Sequence, residues 1–263
     1  MRKLLFITFI ISFFSSCKIF HSAVELNRTQ PRLYHFFING KEVDFLPMHH
    51  MGKQKFYENV KNTVIEKKHN GYVVYYELVS TDFTEDSLLK DNIRRKARKL
   101  KGFSGSYKDN ASGSVFDKYI QQPSYFELGI DSTDKRADVN YLQLIKQWEL
   151  LNGEIVLDSI DLNTPFDEKF NKGTFYTRKE YNRIFIEFRN EYLLETINAS
   201  SDKKILILYG FGHLRNFKKK AKKLITHRTK LSSTQTTKPL VVTAPTQKAG
   251  FRVPKTVLWL IKH

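Results

Sequence analysis

The chain has one cysteine, Cys17, among 263 residues, so no internal disulfide can form. It has no apolar run of the roughly 20 residues that a membrane-spanning helix needs. From Phe217 onward it lacks acids altogether: twelve Lys and Arg stand there, with no Asp or Glu. No internal repeat and no second domain can be read from it. Two common signatures of chemistry are incomplete. GFSGS, Gly102 to Ser106, ends in Ser where a nucleophile elbow ends in Gly, and no buried strand leads into it, which argues against a nucleophilic Ser104. Gly210-Phe-Gly212 lacks the third glycine of a dinucleotide fingerprint.

The missing acids change the meaning of the net charge of +17. Only five of those charges belong to residues 1–216. The basicity is that of a tail, which argues against a nucleic-acid partner. A basic tail suits an anionic membrane surface instead, at about 1 kcal/mol per basic residue close to it.

The chain opens MRKLLFITFIISFFSSC. Arg2 and Lys3, the apolar stretch Leu4 to Phe14 and the small residues before Cys17 have the three parts of a bacterial export signal. The end of this segment resembles a lipobox, in which Cys17 becomes the lipid-modified first residue of the mature protein. Residues 1–16 therefore read as a lipoprotein signal peptide and 17–30 as a tether. Residues 31–216 read as one domain, long enough for a sizeable core. Residues 217–263 read as a basic tail, disordered over Thr226 to Thr256 by its Thr, Ser, Pro and Lys content. The expected location is the cell envelope, lipid-anchored to a bacterial membrane through Cys17.

Within the domain, Leu33–Ile38 and Glu42–Met48 flank Asn39-Gly40, the strongest two-residue hairpin signal. Phe56 to Lys67 carries Phe56, Val60, Val64 and Ile65 at helical spacing. Tyr72 to Val79 reads as a strand with one acid, Glu77, near its end. Ser87–Leu100 predicts a basic helix, and Lys101–Ser114 a loop. A short helix is expected at Phe116–Gln121, a short strand at Tyr125–Ile130 and a helix over Asp138–Leu151. Asn163–Thr174 reads as a polar connection, and Lys179–Asn198 as a long helix with an apolar stripe from Tyr181 to Tyr192. Ile205 to Tyr209 is a strand buried on both faces. Strands alternating with helices predict an α/β fold, a single domain with a central, largely parallel sheet flanked by helices.

Three polar residues share one placement. His50 follows the strand EVDFLPM, Glu77 lies near the end of YVVYYEL, and His213 follows ILILY on Gly210 and Gly212. In open α/β sheets, ligands bind beyond the carboxyl ends of the strands. A carboxylate and two imidazoles gathered there can serve as general acid and base. They can equally hold a divalent metal such as Zn, Mn or Co. Arg189 joins them from the long helix, at the border of its packed face, where its guanidinium could clamp an anion.

The pieces PMHHMG, YVVYYEL, FRNEYLLETI and YGFGHL, in that order between Asp44 and Asn216, resemble the TraB/PrgY–Tiki superfamily. Erythromycin esterases and the haem-binding ChaN-like lipoproteins are related to it. The last Gly-x-x-His is intact as Gly210 to His213. The first has Pro47 in the place of glycine, and His49 offers a second register beside His50. RADVNYLQL resembles a further segment of the family and adds Asp138 as a weaker candidate. The likeness to Tiki implies metal-dependent peptide hydrolysis. That to erythromycin esterase implies a histidine base without metal, and that to ChaN implies haem binding. The expectation is a hydrolase in which His50, Glu77 and His213 activate water, with or without a divalent metal, for a small-molecule or peptide ligand. The alternative is a haem-type carrier or a structural lipoprotein.

Overall fold

The computed structural model describes residues 25–105, 109 and 114–233. The signal segment, Cys17 and residues 234–263 lie outside the described residues. The chain divides into two units at His227/Arg228, and the sheet, its core and the candidate site all belong to the first.

Asn39 and Gly40 both take positive φ, 51° and 78°, the backbone a tight hairpin requires. They join β1 (Tyr34–Ile38) to β2 (Lys41–Met48) in antiparallel register. β2 then runs parallel to β7 (Lys204–Gly210), β7 parallel to β4 (Val73–Tyr76), and β4 parallel to β6 (Lys135–Arg136). The result is a five-stranded mixed sheet in the order β1-β2-β7-β4-β6. Its parallel strands and flanking helices make it an α/β fold.

β7 is central, and its apolar run is buried on both faces because each face has its own helices. Ile205, Ile207 and Tyr209 point to one side, with Leu193, Leu194, Ile197 and Phe217. Leu206 and Leu208 point to the other, against Phe56, Val60 and Val64 of α1 (Gln54–His69). A third cluster joins α2 (Ser87–Lys101) to α3 (Tyr141–Asn152) through Ile93, Leu100, Ile145 and Trp148.

Several sequence expectations are corrected. α1 has Ile65 on its exposed side. The strand expected to reach Val79 stops at Tyr76, although the Glu77 N–H still donates to the Leu208 carbonyl at 3.0 Å. The helix expected at Phe116–Gln121 is one 3₁₀ turn followed by a strand, β5 (Ile120–Gln121), which pairs with β3 (Met51–Gly52). Tyr125–Ile130 is a turn rather than a strand, closed by N–H bonds from Leu128 to Ser124 and Tyr125 and from Gly129 to Phe126. α3 starts at Tyr141, not Asp138, because Asn140 and Gln143 form a capping box that fixes the first turn. Just before the stretch read as a polar connection, α4 (Ser159–Asn163) forms on a capping box of Asp158 and Asp161. Ser104, expected in a loop and not as a nucleophile, staples that loop. Its Oγ donates to the Glu168 carbonyl at 3.0 Å and accepts from Phe170 N at 2.9 Å.

The long helix has three parts: α5 (Arg178–Tyr181), a π-helix over Asn182–Phe188, and α6 (Arg189–Ala199). A π turn carries more residues than an α turn, so it rotates the residues after it relative to the α-helical pattern. Arg189 is therefore buried, at 7 % exposure, where α spacing placed it at the border.

The boundary expected after Asn216 falls inside a helix. α7 runs from Phe211 to Ser233, and Phe217 and Ala221 are wholly buried in the core. An apolar surface that already sits at the core has no reason to leave it, so the basic residues from Lys218 share a helix with core residues. Phe217→Ala should destabilise the fold by about 3–5 kcal/mol, read from urea denaturation. A loss under about 1 kcal/mol would mean that residue 217 belongs to a tail.

Candidate functional site

The strand order brings the expected residues to one edge. Met48 pairs with Gly210, Tyr76 with Leu208, and Tyr76 with Arg136. The carboxyl ends of β2, β7, β4 and β6 therefore deliver His50, His213, Glu77 and Asp138 side by side. Arg189 reaches the same place from the start of α6.

Arg189 forms the centre. Its Nε donates to Asp138 Oδ1 at 3.0 Å and its Nη2 to Asp138 Oδ2 at 2.5 Å, a bidentate pair. The same Nη2 donates to Glu77 Oε1 at 2.6 Å. Nη1 has only long contacts, 3.4 Å to His213 Nε2 and 3.5 Å to the Phe185 carbonyl. Asp138 also accepts from Val139 N at 2.9 Å. Desolvation opposes the guanidinium's charge, but Glu77 and Asp138 outweigh it and hold its pKa well above the usual value.

Glu77 is the shared partner. Oε2 accepts the Gly210 N–H at the start of α7, where the helix dipole also favours a carboxylate. Tyr125 Oη donates to its carbonyl. Burial alone would raise the pKa of Glu77. Arg189, His213 and the Gly210 N–H overcome this and hold it well below the usual carboxylate range. A Cβ added at Gly210 would stand 3.0 Å from Glu77 Oε2, whereas at Gly212 it would make ordinary contact with Ile186. Gly210 is thus needed for the close approach of the carboxylate, and α7 already begins at Phe211.

His213 lies in the first turn of α7, 3 % exposed, with its ring edge-on to Tyr209. Its Nε2 is 3.5 Å from Glu77 Oε1, and its Nδ1 is 2.9 Å from Asn190 Oδ1. Asn190, fully buried, also donates from Nδ2 to the His213 carbonyl and to Asn216 Oδ1, both at 3.1 Å. Sequence reasoning missed Asn190. Its only signal was adjacency to Arg189 in FRNEYLLETI, which helical spacing would place on another face.

His50 is the exposed member of the group. It stands between β2 and β3, and its carbonyl accepts from Gln122 N at 2.9 Å, so the β3–β5 pair pins it. The residue is exposed. It is walled closely enough that burial pushes its pKa down, with Glu77 opposing and Arg189, His213 and Lys101 reinforcing the shift. His49 turns elsewhere: its Nε2 lies 3.8 Å from Glu25 Oε2 and its ring stacks on Phe211. Of the two histidines, His50 is the one in the field of the cluster.

Among the described residues, no three His, Cys, Asp or Glu side chains are grouped to hold a metal ion. The donor chemistry explains this arrangement. An ion bound to Glu77 Oε1 and His213 Nε2 at about 2 Å from each would lie beside a guanidinium that touches both atoms. Arg189 holds the cationic position beside the two atoms that a metal at Glu77 and His213 would use.

A carboxyl with a lowered folded pKa stabilises the protein above its unfolded value, about 4.3, and loses that contribution as pH falls through the folded value. Stability should therefore drop below about pH 4.3. Glu77→Gln should be less stable at pH 7 and show a shallower fall on acidification, measured by denaturant midpoints across pH. Equal slopes for the two proteins would remove Glu77 from the acid response. No family model matches the chain, and neither a curated protein nor a solved structure matches it.

Proposed function

We propose that the chain is a hydrolase of the cell envelope that activates water without a metal at the carboxyl edge of its sheet. The observation that carries this reading is the convergence of two imidazoles, an ionised glutamate and a buried guanidinium at four neighbouring strand and helix ends. Structural ion pairs need no exposed imidazole within their field whose pKa is lowered.

The roles follow from the electrostatics. Glu77 is held too far below the usual range to be an effective base, since a general base works best with a pKa near the working pH. It serves as an acceptor that orients water. His50, open to solvent and biased toward its neutral form, takes the proton. His213 stands behind Glu77. Arg189 keeps Glu77 ionised and supplies positive charge where a carbonyl oxygen becomes negative, through Nη1, the nitrogen with only long contacts. The substrate is a small ester, amide or peptide. The same reading includes a lipid anchor at Cys17, so Cys17→Ser should move the chain from the membrane pellet to the soluble fraction.

A second reading is favoured by one observation: Arg189 is largely saturated by Asp138 and Glu77. Such a cluster can serve as scaffold alone, in a ligand carrier or a structural lipoprotein.

The test is turnover of an ester and peptide panel by the full chain in detergent, with chelator present. Hydrolysis should persist in chelator, and His50→Ala or Glu77→Gln should lower kcat by about 10²–10⁴-fold. The acid limb of the wild-type profile should lie below about pH 6.5, the unperturbed histidine value, and vanish in His50→Ala. No turnover, together with a Soret band on haem titration, would favour the carrier. Loss of activity to chelator would restore the metal reading.

A further inference from the structure

We propose that Asn190 is a positioning residue of this site: its side-chain amide dictates which nitrogen of His213 carries the proton, and so which face of the ring Nε2 presents to Arg189 and Glu77. This rests on the hydrolase reading for its consequence in catalysis, but not for its structural content.

The orientation of the Asn190 amide is over-determined. Its Nδ2 faces two acceptors, the His213 carbonyl and Asn216 Oδ1, both at 3.1 Å. A flipped amide would set an oxygen against the His213 carbonyl and take away its donor, in a residue with no solvent exposure to compensate. Oδ1 must therefore be the atom 2.9 Å from His213 Nδ1. A carboxamide oxygen only accepts, so Nδ1 carries hydrogen.

On the other side of the ring, Nε2 lies between a donor and an acceptor. The nearest group to Nε2 is Arg189 Nη1, at 3.4 Å. A guanidinium has donors and no acceptor, so a neutral imidazole with hydrogen on Nε2 would oppose N–H to N–H there. With hydrogen on Nδ1, the Nε2 lone pair faces the guanidinium N–H, and Glu77 Oε1 lies 3.5 Å away. An added proton on Nε2 would meet that Glu77 oxygen, so it is the Asn190 side that fixes Nδ1 as the donor in the neutral ring.

The π-helix is what makes this possible. It ends at Phe188, so that Arg189 and Asn190, consecutive in sequence, are both buried and both reach His213. One grips the Nε2 side and the other the Nδ1 side. Asn216, three residues after His213 on α7, completes the clamp.

The tautomer is directly observable. Long-range ¹H–¹⁵N correlation spectra of the full chain in detergent, assigned by comparison with His213→Gln, should show the neutral His213 ring protonated at Nδ1. In Asn190→Ala, the population should move toward the Nε2–H form, with the circular-dichroism spectrum retained. If that variant does not fold, Asn216→Ala, which removes only the support of the amide, should show the same shift in smaller measure. On a substrate the wild type turns over, Asn190→Ala should lower kcat about 100-fold, with KM little changed. A wild-type ring protonated at Nε2, or variants whose tautomer matches the wild type, would overturn the proposal. The correct tautomer with no hydrolysis by the wild type would instead uphold this clamp and sink the hydrolase reading.

Discussion

One buried guanidinium organises the carboxyl edge of this protein. Arg189 lies among carboxylates from two different strand ends, Asp138 after β6 and Glu77 after β4, and touches His213 from a third. Removing one partner from a buried pair costs about 3–5 kcal/mol, because a charge is left uncompensated. The three charges do not cancel: two carboxylates face one cation. The remainder is met by backbone donors, Val139 N to Asp138 and Gly210 N to Glu77, and by the positive end of α7. The site is therefore tied to the sheet, since those N–H groups exist only where the strands end.

That tie explains which parts of the cluster are rigid and which are open. Asp138, Arg189, Asn190 and His213 have almost no exposure, and each makes hydrogen bonds to at least one other. Their geometry is locked by packing as much as by polar contact. Ile184 on the π-helix sits in the core beside them, and Tyr209 presents its ring to His213. His50 belongs to a different support, the small β3–β5 pair, and is exposed. Chemistry with an external molecule can only begin at that exposed residue, while the buried members set its electrostatics.

The sheet and its placement of residues were legible because they depend on patterns with strong physical causes. Asn39-Gly40 permits one hairpin, and an apolar run such as ILILY needs cover on both faces. From those came the expectation that His50, Glu77 and His213 share one edge, and Asp138, a weaker candidate from the resemblance, follows β6, which lies beside β4 in the sheet. What stayed hidden depends on registers that sequence spacing does not encode. The π-helix rotated Arg189 inward and brought in Asn190, neither of which a 3.6-residue period predicts. The two-residue strands β3, β5 and β6 are too short for any alternation to show. Phe217 and Ala221 were obscured by the lysines around them, because charge density suggested a tail where single apolar residues at helical spacing marked a buried face.

Pro47 and Gly210 stand at the ends of two parallel strands, yet they answer to different constraints. At the end of β7 the backbone itself receives the Glu77 carboxylate, and a side chain on residue 210 would crowd Oε2. Only glycine leaves that room. At the end of β2 no such approach is made: Glu77 gives its oxygens to Arg189 and Gly210. β1 pairs with β2 only as far as Phe45, so one flank of Pro47 has no ladder to lose, and a residue without an N–H is tolerated there. His50 is then placed from its C-terminal side, through the Gln122 N–H and the β3–β5 pair, rather than by the residue at 47. Pro47 thus stands clear of the contacts that hold Glu77 and of those that place the His50 backbone.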